Sequence, residues 1–335
     1  MRILVTGGAG FTGHNFIKYL MKHTDWDVVS LDRLDEAGSL TKLAEIMAEW
    51  PGRLVTYWHD LRAAINPVHV PGPFDYVVHM AAGSHVDRSV RDPISFVQDN
   101  VIGTANLLEY CRSLTTLRKV LYFSTDEVFG PAPFGVSFMD CASHFANNPY
   151  AASKSAGEAL CPAWAATFGV PVVVSHCTNI YGDGQYGEKF IPLVARKVLN
   201  GETVQIHAIK NPMEKVEHVG QWISSSRFYL HVDDVSSAVM TILEKGGLLG
   251  SSATGKYNIG GDTEFSNLEV AKKIAELLGK PLKWEFVDYV ANRPKFDLRY
   301  DLDSRLLRSL GWKPQVPFED GLRDVLEPFT DKCQK

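Results

Sequence analysis

The pattern that most constrains the fold of this chain lies in its first thirteen residues. An apolar run, Ile3-Leu-Val5, breaks into Gly7, Gly10 and Gly13 and continues into a segment of helical periodicity. This order predicts a strand, a tight turn and a helix. Glycine can take the positive φ of such a turn, lets backbone approach a pyrophosphate, and lets the helix pack on the strand. The opening therefore predicts a dinucleotide-binding turn, although a purely structural turn gives the same spacing.

The residues after the glycines extend this prediction. Phe11 and Thr12 begin the predicted helix, whose free N–H groups would face the bound anion. The next apolar run, 26–31, ends in Asp32 about twenty residues past the glycines, where an adenosine ribose lies in a βαβ unit. A carboxylate there accepts from the ribose hydroxyls and repels a 2′-phosphate, which favours NAD over NADP. Arg33 keeps the alternative open, because an arginine at this point can serve a 2′-phosphate.

Strand-like runs then alternate with helical patterns as far as about residue 178. Strands are predicted at 53–57, 74–79 and 119–123, and helices at 92–111 and 149–168. Such alternation predicts an α/β fold with a Rossmann-type, doubly wound parallel sheet. Asp60 and Leu61 follow the strand at 53–57, where the adenine would bind, and a solvated loop acid is an equal interpretation of Asp60.

The second half of the chain is less regular and predicts a smaller α/β cap that binds the substrate. Strand-like pieces lie at 203–207 and 283–286, and a helical pattern lies at 267–278. We expect residues 1–178 plus about 227–262 to form the NAD-binding domain. Residues 179–226 plus about 263–330 would form the cap, and the segment 227–249 could return to the large sheet.

Composition excludes several classes of protein. The 335 residues carry a net charge of −5 and no long basic run, so nucleic acid is not an expected partner. No apolar stretch approaches the roughly 20 residues that span a bilayer, and no signal-peptide pattern opens the chain, so we expect a cytoplasmic protein without a membrane partner. The five cysteines form no C-x-x-C pair, which predicts reduced thiols and no structural metal.

Two short motifs carry candidate chemistry. Ser124-Thr125-Asp126-Glu127 follows the predicted strand at 119–123, and the carboxyl ends of parallel strands are where such sheets bind ligands. Tyr150 and Lys154 are four apart in a helical pattern and so project from one face. A nearby ammonium favours the phenolate, so we expect the pKa of Tyr150 to lie below its ordinary value of about 10.

The chain resembles the extended short-chain dehydrogenases/reductases, the NAD-dependent epimerase/dehydratase superfamily, over nearly its whole length. The glycine turn and the Tyr150/Lys154 pair are shared by the whole superfamily. The Asp126-Glu127 pair after a threonine is specific to the dTDP-glucose 4,6-dehydratase family within it. Further matching motifs are Ala81-Ala-Gly-Ser-His85-Val-Asp87, Asn100 within Gln-Asp-Asn-Val-Ile-Gly, Thr178-Asn179-Ile-Tyr181-Gly182, Tyr257-Asn-Ile-Gly-Gly261 and Leu310-Gly-Trp-Lys-Pro314.

The resemblance implies a hydro-lyase of deoxysugar biosynthesis that turns a nucleotide hexose into a 4-keto-6-deoxy sugar. Tyr150, beside Lys154, would take the C4 hydroxyl proton while the C4 hydride passes to NAD, and Thr125 would orient that hydroxyl. Glu127 would remove the C5 proton that the new ketone acidifies. Asp126 would protonate the departing C6 hydroxyl, and the hydride would return to C6. NAD would therefore stay tightly bound and be recycled.

The resemblance also implies the binding residues. On the cofactor side it adds Ala81, Ala82, Asn100 and Ser124 to the glycine turn, Asp32, Asp60 and Leu61. On the substrate side, for a nucleoside-diphosphate hexose, it implies Ser84, His85, Asp87, Asn179, Glu188, Lys189, Arg227 and Arg293, with a structural role an equal interpretation for His85. Arginine suits phosphate because its donors are fixed and bidentate.

Three departures from the family pattern bear on specificity. The family commonly has glutamate where Gly83 stands and a Gly-His pair where Lys295-Phe296 stands, and 207–226 contains an insertion. Gly83 could admit a bulkier sugar substituent, and the insertion is either a harmless surface loop or part of the base pocket. The nucleotide base therefore stays open among thymine, uracil, guanine and cytosine.

Two other functions also stay open. A nucleotide-sugar epimerase would share the hydride abstraction but rotate the intermediate, and a non-catalytic NAD-binding regulatory protein could use the same fold. The intact Tyr150, Lys154, Asp126 and Glu127 argue against the second. The family usually forms homodimers through two helices of each subunit, which here are the segments beginning near Asp92 and Pro149.

Overall fold

The centre of the molecule is a seven-stranded parallel sheet. The computed structural model describes residues 1–35, 38–210, 222–250, 255–288 and 298–331. Its strands are β1 (Arg2–Thr6), β2 (Asp27–Asp32), β3 (Leu54–Trp58), β4 (Tyr76–His79), β5 (Lys119–Phe123), β6 (Val172–Cys177), β7 (Asn179–Tyr181), β8 (Val204–Lys210), β9 (Trp222–Ser224), β10 (Ser226–His231), β11 (Lys256–Ile259), β12 (Glu264–Ser266) and β13 (Trp284–Asp288). The large sheet has the order β3-β2-β1-β4-β5-β6-β11, with every neighbouring pair parallel. The predicted doubly wound sheet is confirmed.

Helices cover both faces of this sheet, which explains why its central strands are continuous apolar runs. Val77 and Val78 of β4 and Val172 to Val174 of β6 have no solvent exposure. The helices are α1 (Phe11–His23), α2 (Leu40–Glu49), α3 (Val86–Arg91), α4 (Pro93–Val97), α5 (Gly103–Arg112), α6 (Pro149–Phe168), α7 (Phe190–Leu199), α8 (Val232–Lys245), α9 (Asn267–Leu277), α10 (Arg305–Ser309) and α11 (Phe318–Asp331). Among the described residues, no helix combines the length and apolar character needed to cross a membrane.

The predicted helices at 92–111 and 149–168 pack against each other, and the second carries Tyr150 and Lys154. The helix predicted at 92–111 runs as α4, a π-helical turn at Gln98–Ile102 and α5. The helix predicted at 149–168 is α6, with Pro149 in its first turn and Gly169 ending it at φ 70°. The Asn148 side chain accepts from the Ala151 N–H at 2.8 Å and so caps the start of α6. This cap fixes the start of the helix that carries Tyr150 and Lys154.

The less regular half of the chain builds two three-stranded sheets, β12-β10-β7 and β13-β8-β9. Their strands at Val204–Lys210 and Trp284–Asp288, and α9, match the predicted elements. In the segment 227–249, β10 pairs with β7 in a small sheet, whereas α8 packs on α1 in the core of the large one. The proposed domain boundaries stay a prediction.

Candidate active site

A cavity of about 370 Å³ opens at the carboxyl ends of the central strands. That volume lies within the range of ligand-binding clefts. The predicted residues that line it are Gly7, Gly10, Phe11, Thr12, Gly13, Asp32, Asp60, Leu61, Ser84, Ala81, Ala82, Ser124, Thr125, Asp126, Glu127, Tyr150, Lys154, Asn179, Glu188 and Lys189. The fold thus brings together, in one cavity, most of the residues that the sequence singles out.

The glycine turn forms a cradle at one side of this cavity. Gly7 adopts φ 72°, and its carbonyl oxygen accepts from the Gly10 N–H at 3.1 Å. A Cβ on Gly13 would lie 2.1 Å from the Gly7 oxygen, so the close approach of α1 to β1 requires glycine. The first turn of α1 has no acidic residue and directs its free N–H groups at the cavity. This cradle fits the pyrophosphate of a dinucleotide.

Asp32 and Ser124 also fit a bound dinucleotide. The Asp32 carboxylate ends β2 and accepts from the N–H groups of Ala9 at 3.0 Å and Leu34 at 2.8 Å. Burial raises the pKa of Asp32, and those two hydrogen bonds oppose the shift. The buried Ser124 hydroxyl lines the cavity and has no hydrogen-bond partner among the described residues. A buried polar atom of this kind points to a missing ligand.

The two candidate carboxyl groups occupy different environments. Asp126 is 5% exposed, and its Oδ1 accepts from the Thr125 hydroxyl at 3.1 Å, whereas Oδ2 has no partner within the described part of the chain. Burial and the neighbouring Glu127 raise the pKa of Asp126 to about 7. Glu127 is only half-buried, and its Oε2 accepts from the Asn148 amide at 3.0 Å. One carboxyl group is therefore set to hold a proton that its neighbour can lack.

Tyr150 and Lys154 share one face of α6, as predicted, but their electrostatics differ from the expectation. Burial and the charge of Glu127 raise the pKa of Tyr150 well above its ordinary value, while a hydrogen bond with Thr125 lowers it. Lys154 instead donates to the Phe123 carbonyl oxygen at 2.7 Å, and burial lowers its own pKa to about 8. The expected lowering of the Tyr150 pKa is therefore wrong, because desolvation and the charge of Glu127 outweigh the hydrogen bond with Thr125.

Several predicted residues lie outside the cavity wall. Asn100 is buried behind it, where it exchanges hydrogen bonds with the Gly83 backbone at 2.9 and 3.0 Å and donates to Ser153 at 2.8 Å. Arg227 donates to the carbonyl oxygens of Ser226 and Leu298, and its charge lowers the pKa of Asp126. His85 and Asp87 belong to the start of α3. Arg293, Lys295-Phe296 and most of the insertion lie outside the described residues.

The side chains beside the substrate end connect the two halves of the molecule. Lys189 donates to the Ser84 carbonyl oxygen at 3.4 Å, and burial lowers its pKa. Glu188 accepts from Arg88 at 3.3 Å and has an oxygen 3.5 Å from His85 Nε2. His85 thus has a structural contact here. A Cβ at Gly83 would lie 3.2 Å from Phe96 and 3.3 Å from Asp99, and the expected room for a bulkier sugar substituent stays a prediction.

The cavity also contains residues that the sequence analysis missed. They include Lys42, His59, Arg62, Met80, Asp99, Cys177, Thr178, Gln185 and Tyr186. Cys177 and Thr178 could have been found, because Cys177 ends β6 and Thr178 follows it at the ligand-binding edge of the sheet. The others come from loops and helices whose approach depends on tertiary packing.

One group of potential metal ligands lies behind the site. His144, Glu158 and His176 bring ligand atoms within 4.8 Å of one another. The Glu158 carboxylate already accepts from Lys256 at 2.8 Å and lies 3.0 Å from His176 Nε2. An ammonium in contact with the carboxylate opposes a divalent cation there, so this group is a buried ion-pair network.

A doubly wound sheet with this glycine cradle, a Tyr-x-x-x-Lys helix and strand-end hydroxyls defines an extended short-chain dehydrogenase/reductase. Comparison narrows that class: the model of the NAD dependent epimerase/dehydratase family matches residues 3–260, and the chain belongs to this family.

Named relatives agree over the whole chain. It is 39% identical to a dTDP-glucose 4,6-dehydratase of Streptomyces niveus, over 99% of this chain and 93% of the relative. It is 36% identical to dTDP-glucose 4,6-dehydratase 1 of Escherichia coli K12, over 100% and 94%. Among solved structures, a dTDP-glucose 4,6-dehydratase from Streptomyces venezuelae with NAD bound has a TM-score of 0.86 at 32% identity, over 100% of this chain and 98% of that one. An NAD complex of Thermus thermophilus UDP-glucose 4-epimerase has a TM-score of 0.81 at 28% identity, over 98% and 99%.

The raised pKa of Asp126 predicts a pH dependence of stability. Its pKa is about 7 in the folded protein and 3.8 as an ordinary value, so folding takes up a proton between these pH values. The contribution of Asp126 to the free energy of unfolding therefore falls as pH rises through this window. Relative to Asp126→Asn, the wild-type protein should lose about 2 to 3 kcal/mol between pH 5 and pH 8. Denaturant unfolding of the two proteins at pH 5 and at pH 8 measures these free energies of unfolding. If the wild type and Asp126→Asn differ by the same amount at both pH values, the prediction is contradicted.

Proposed function

We propose that this chain is an NAD-dependent nucleotide-sugar 4,6-dehydratase that converts dTDP-glucose to its 4-keto-6-deoxy product and water. The observation that carries the proposal is the pair of carboxyl groups, Asp126 and Glu127, held in different environments in the cavity that contains Tyr150. An elimination needs a base and an acid at once, and adjacent carboxyl groups supply both only when burial separates their pKa values. The relatives' names supply the hexose and the base.

The first part of the proposed reaction is removal of the C4 hydroxyl proton. Thr125, at the end of β5, orients this hydroxyl, and Tyr150 accepts its proton. The glycine turn, Asp32 and Ser124 would hold NAD, which would supply the acceptor for the C4 hydride, the donor for its return to C6 and the positive charge of the oxidised nicotinamide ring. That charge and the Lys154 ammonium both favour the phenolate, against the burial that raises the pKa of Tyr150 in the ligand-free protein.

The second part is loss of water across C5 and C6. Glu127 takes the C5 proton, which the C4 ketone has made acidic, and the Asn148 amide fixes the carboxylate by donating to it. Asp126, whose pKa of about 7 keeps much of it protonated near neutral pH, donates to the departing C6 hydroxyl. The reaction is redox-neutral overall, so the cofactor stays bound and is recycled. Asn179, Glu188 and Lys189 line the passage assigned to the diphosphate and sugar.

Products from a panel of nucleoside-diphosphate hexoses test the function. The purified protein is incubated with the dTDP, UDP, GDP and CDP forms of glucose, and the products are analysed by mass spectrometry. We expect dTDP-glucose to lose one water. An unchanged mass with an inverted stereocentre would replace the proposal with epimerisation, and absence of reaction with every member of the panel would overturn it.

Replacing Glu127 should separate the two halves of the reaction. In Glu127→Gln, C4 oxidation should persist, seen as reduced-nicotinamide absorbance, because Tyr150 and Thr125 are unchanged. Dehydration should fall by about 10²- to 10⁴-fold, because the base for C5 is gone. Solvent-hydrogen exchange at C5 in heavy water, measured by mass spectrometry, should fall with it.

Asn148→Ser is the matched variant for this experiment. Serine keeps a side-chain oxygen for the cap of α6 but lacks the amide that donates to Glu127. It should retain the wild-type stability and C4 oxidation while slowing C5 exchange. Dehydration by Glu127→Gln at the parental rate would show that Glu127 is not the base.

We also propose that the protein is a homodimer that pairs α4–α5 and α6 with their copies. The described helix α6 turns only small or apolar residues to solvent along most of its length, at Ala152, Ala156, Ala159, Pro162, Ala163 and Ala166. Its charged residues, Lys154 and Glu158, are both buried. Val90, Ile94, Val97 and Ile102 on the adjacent helices are 43 to 65% exposed. Contiguous exposed apolar surface of this kind marks a protein interface.

Light scattering tests the dimer. The wild-type protein should have twice the mass of one chain, and Ile94→Glu combined with Ala159→Glu should give monomers, because two carboxylates would be buried unpaired in the interface. Lys22→Glu, a charge reversal at an exposed position in the last turn of α1, serves as the control and should stay dimeric. A monomeric wild-type protein would contradict the proposal.

The expected cytoplasmic location stays a prediction.

A further inference from the structure

The adenosine end of the cavity contains an unusual number of charged groups. Asp32 ends β2, and the described residues that line the cavity beside it include four carboxylates but only two guanidinium groups: Asp32, Asp35, Asp60, Asp99, Arg33 and Arg62. Lys42 lines the same cavity, but its ammonium donates to the Gly184 carbonyl oxygen at 2.7 Å. The position of the arginines matters, because an arginine just after the second strand is the usual partner of a 2′-phosphate.

Asp99 holds both arginines. Arg33 donates to the two oxygens of the Asp99 carboxylate in a bidentate pair, at 2.5 and 2.9 Å. Arg62 Nε donates to Oδ1 of the same carboxylate at 2.7 Å. The Asp99 side chain is 9% exposed, so these are largely desolvated, charge-assisted hydrogen bonds. One carboxylate on the helix at the cavity wall thus fixes guanidinium groups from two different loops.

Further contacts fix the direction of Arg33. Its Nε and Nη2 donate to Asp35 at 3.0 and 2.8 Å, and its carbonyl oxygen accepts from the Trp58 indole at 2.9 Å. The guanidinium therefore has carboxylate partners on both of its edges. A bidentate donor used in this way has little capacity left for phosphate oxygens.

We propose that Asp99 is a cofactor-specificity residue: it occupies Arg33 and Arg62 in ion pairs, so that neither guanidinium binds the 2′-phosphate that distinguishes NADP from NAD. Asp32 repels that phosphate directly, and Asp99 removes the cations that would otherwise attract it. The four carboxylates outnumber the two guanidinium groups, so this end of the cavity favours the uncharged ribose hydroxyls of NAD.

The backbone at Gly83 makes room for Asp99. A Cβ at position 83 would lie 3.3 Å from Asp99 Oδ2 and 3.2 Å from two Phe96 ring carbons, closer than most Cβ contacts. Asn100, which follows Asp99 in the sequence, fixes the backbone at Gly83 by hydrogen bonds with the Gly83 N–H and carbonyl groups. The glycine that departs from the family pattern therefore lies against the carboxylate that holds the two arginines.

The ionisation of Asp99 agrees with this arrangement. Burial alone would raise its pKa, but the hydrogen bonds from Arg33 and Arg62 outweigh burial and hold the pKa of Asp99 below its ordinary value. The Asp99 carboxylate is therefore charged throughout the physiological pH range, and its ion pairs with Arg33 and Arg62 persist near neutral pH.

Cofactor binding to the ligand-free protein tests the proposal. The dissociation constants of NAD and NADP are measured by calorimetry for wild-type protein and Asp99→Asn, whose side chain has the same shape but no charge. The ratio of the NADP to the NAD constant should fall by about tenfold or more in the variant, because the Arg62 guanidinium and the edge of Arg33 that Asp99 occupies become available to the phosphate. The gain should shrink as salt is added.

Three further variants make the result specific. Glu109→Gln removes one negative charge from the exposed side of the same helix, and its ratio should equal that of the wild type. Arg62→Ala added to Asp99→Asn should reverse part of the gain. Asp99→Ser removes the carboxylate with a smaller side chain and replaces Asp99→Asn if that variant does not fold. An unchanged ratio in a folded Asp99 variant, or an equal change in Glu109→Gln, would overturn the proposal.

Discussion

The hydrogen bond from Lys154 Nζ to the Phe123 carbonyl oxygen is the contact on which the rest of the site depends. It joins the middle of α6 to the end of β5, and so fixes the helix that carries Tyr150 against the strand that leads into Thr125, Asp126 and Glu127. An ammonium that is 3% exposed must be satisfied, and the carbonyl and the Tyr122 ring at 4.3 Å satisfy it. Together with the hydrogen bond from the Asn148 amide to Glu127, this contact fixes the relative positions of the phenol and the two carboxyl groups.

Burial is the second constraint, and it acts on neighbouring groups in opposite ways. Burial raises the pKa of Asp126 and Tyr150, and so favours their neutral, protonated forms. It lowers the pKa of Lys154. Glu127 escapes the deepest burial and has an amide partner in Asn148. The site therefore differentiates adjacent residues by depth of burial and by hydrogen bonding.

Much of this arrangement could be predicted from the sequence because it is local. The glycine spacing, the apolar strands and the four-residue separation of Tyr150 and Lys154 each follow from backbone geometry over a few residues. Contacts between distant segments could not be predicted. The ion pair between Asp99 and Arg33 joins residues that are far apart in the sequence. Asn100, which was predicted to bind the cofactor, is buried behind the cavity wall by contacts with Gly83 and Ser153. The predicted lowering of the Tyr150 pKa is wrong for the same reason, because desolvation of the phenol depends on every element packed around it.

Three contacts join the loop that precedes α7 to the nucleotide-binding side of the cavity, and each uses a lysine or an arginine side chain. Lys42 donates to the Gly184 carbonyl oxygen, Lys189 to that of Ser84, and Arg88 pairs with Glu188. Five of the six residues in these contacts also line the cavity: Lys42, Ser84, Gly184, Glu188 and Lys189. These contacts must break before the two sides can move apart, so together they oppose any opening of the cavity at this end.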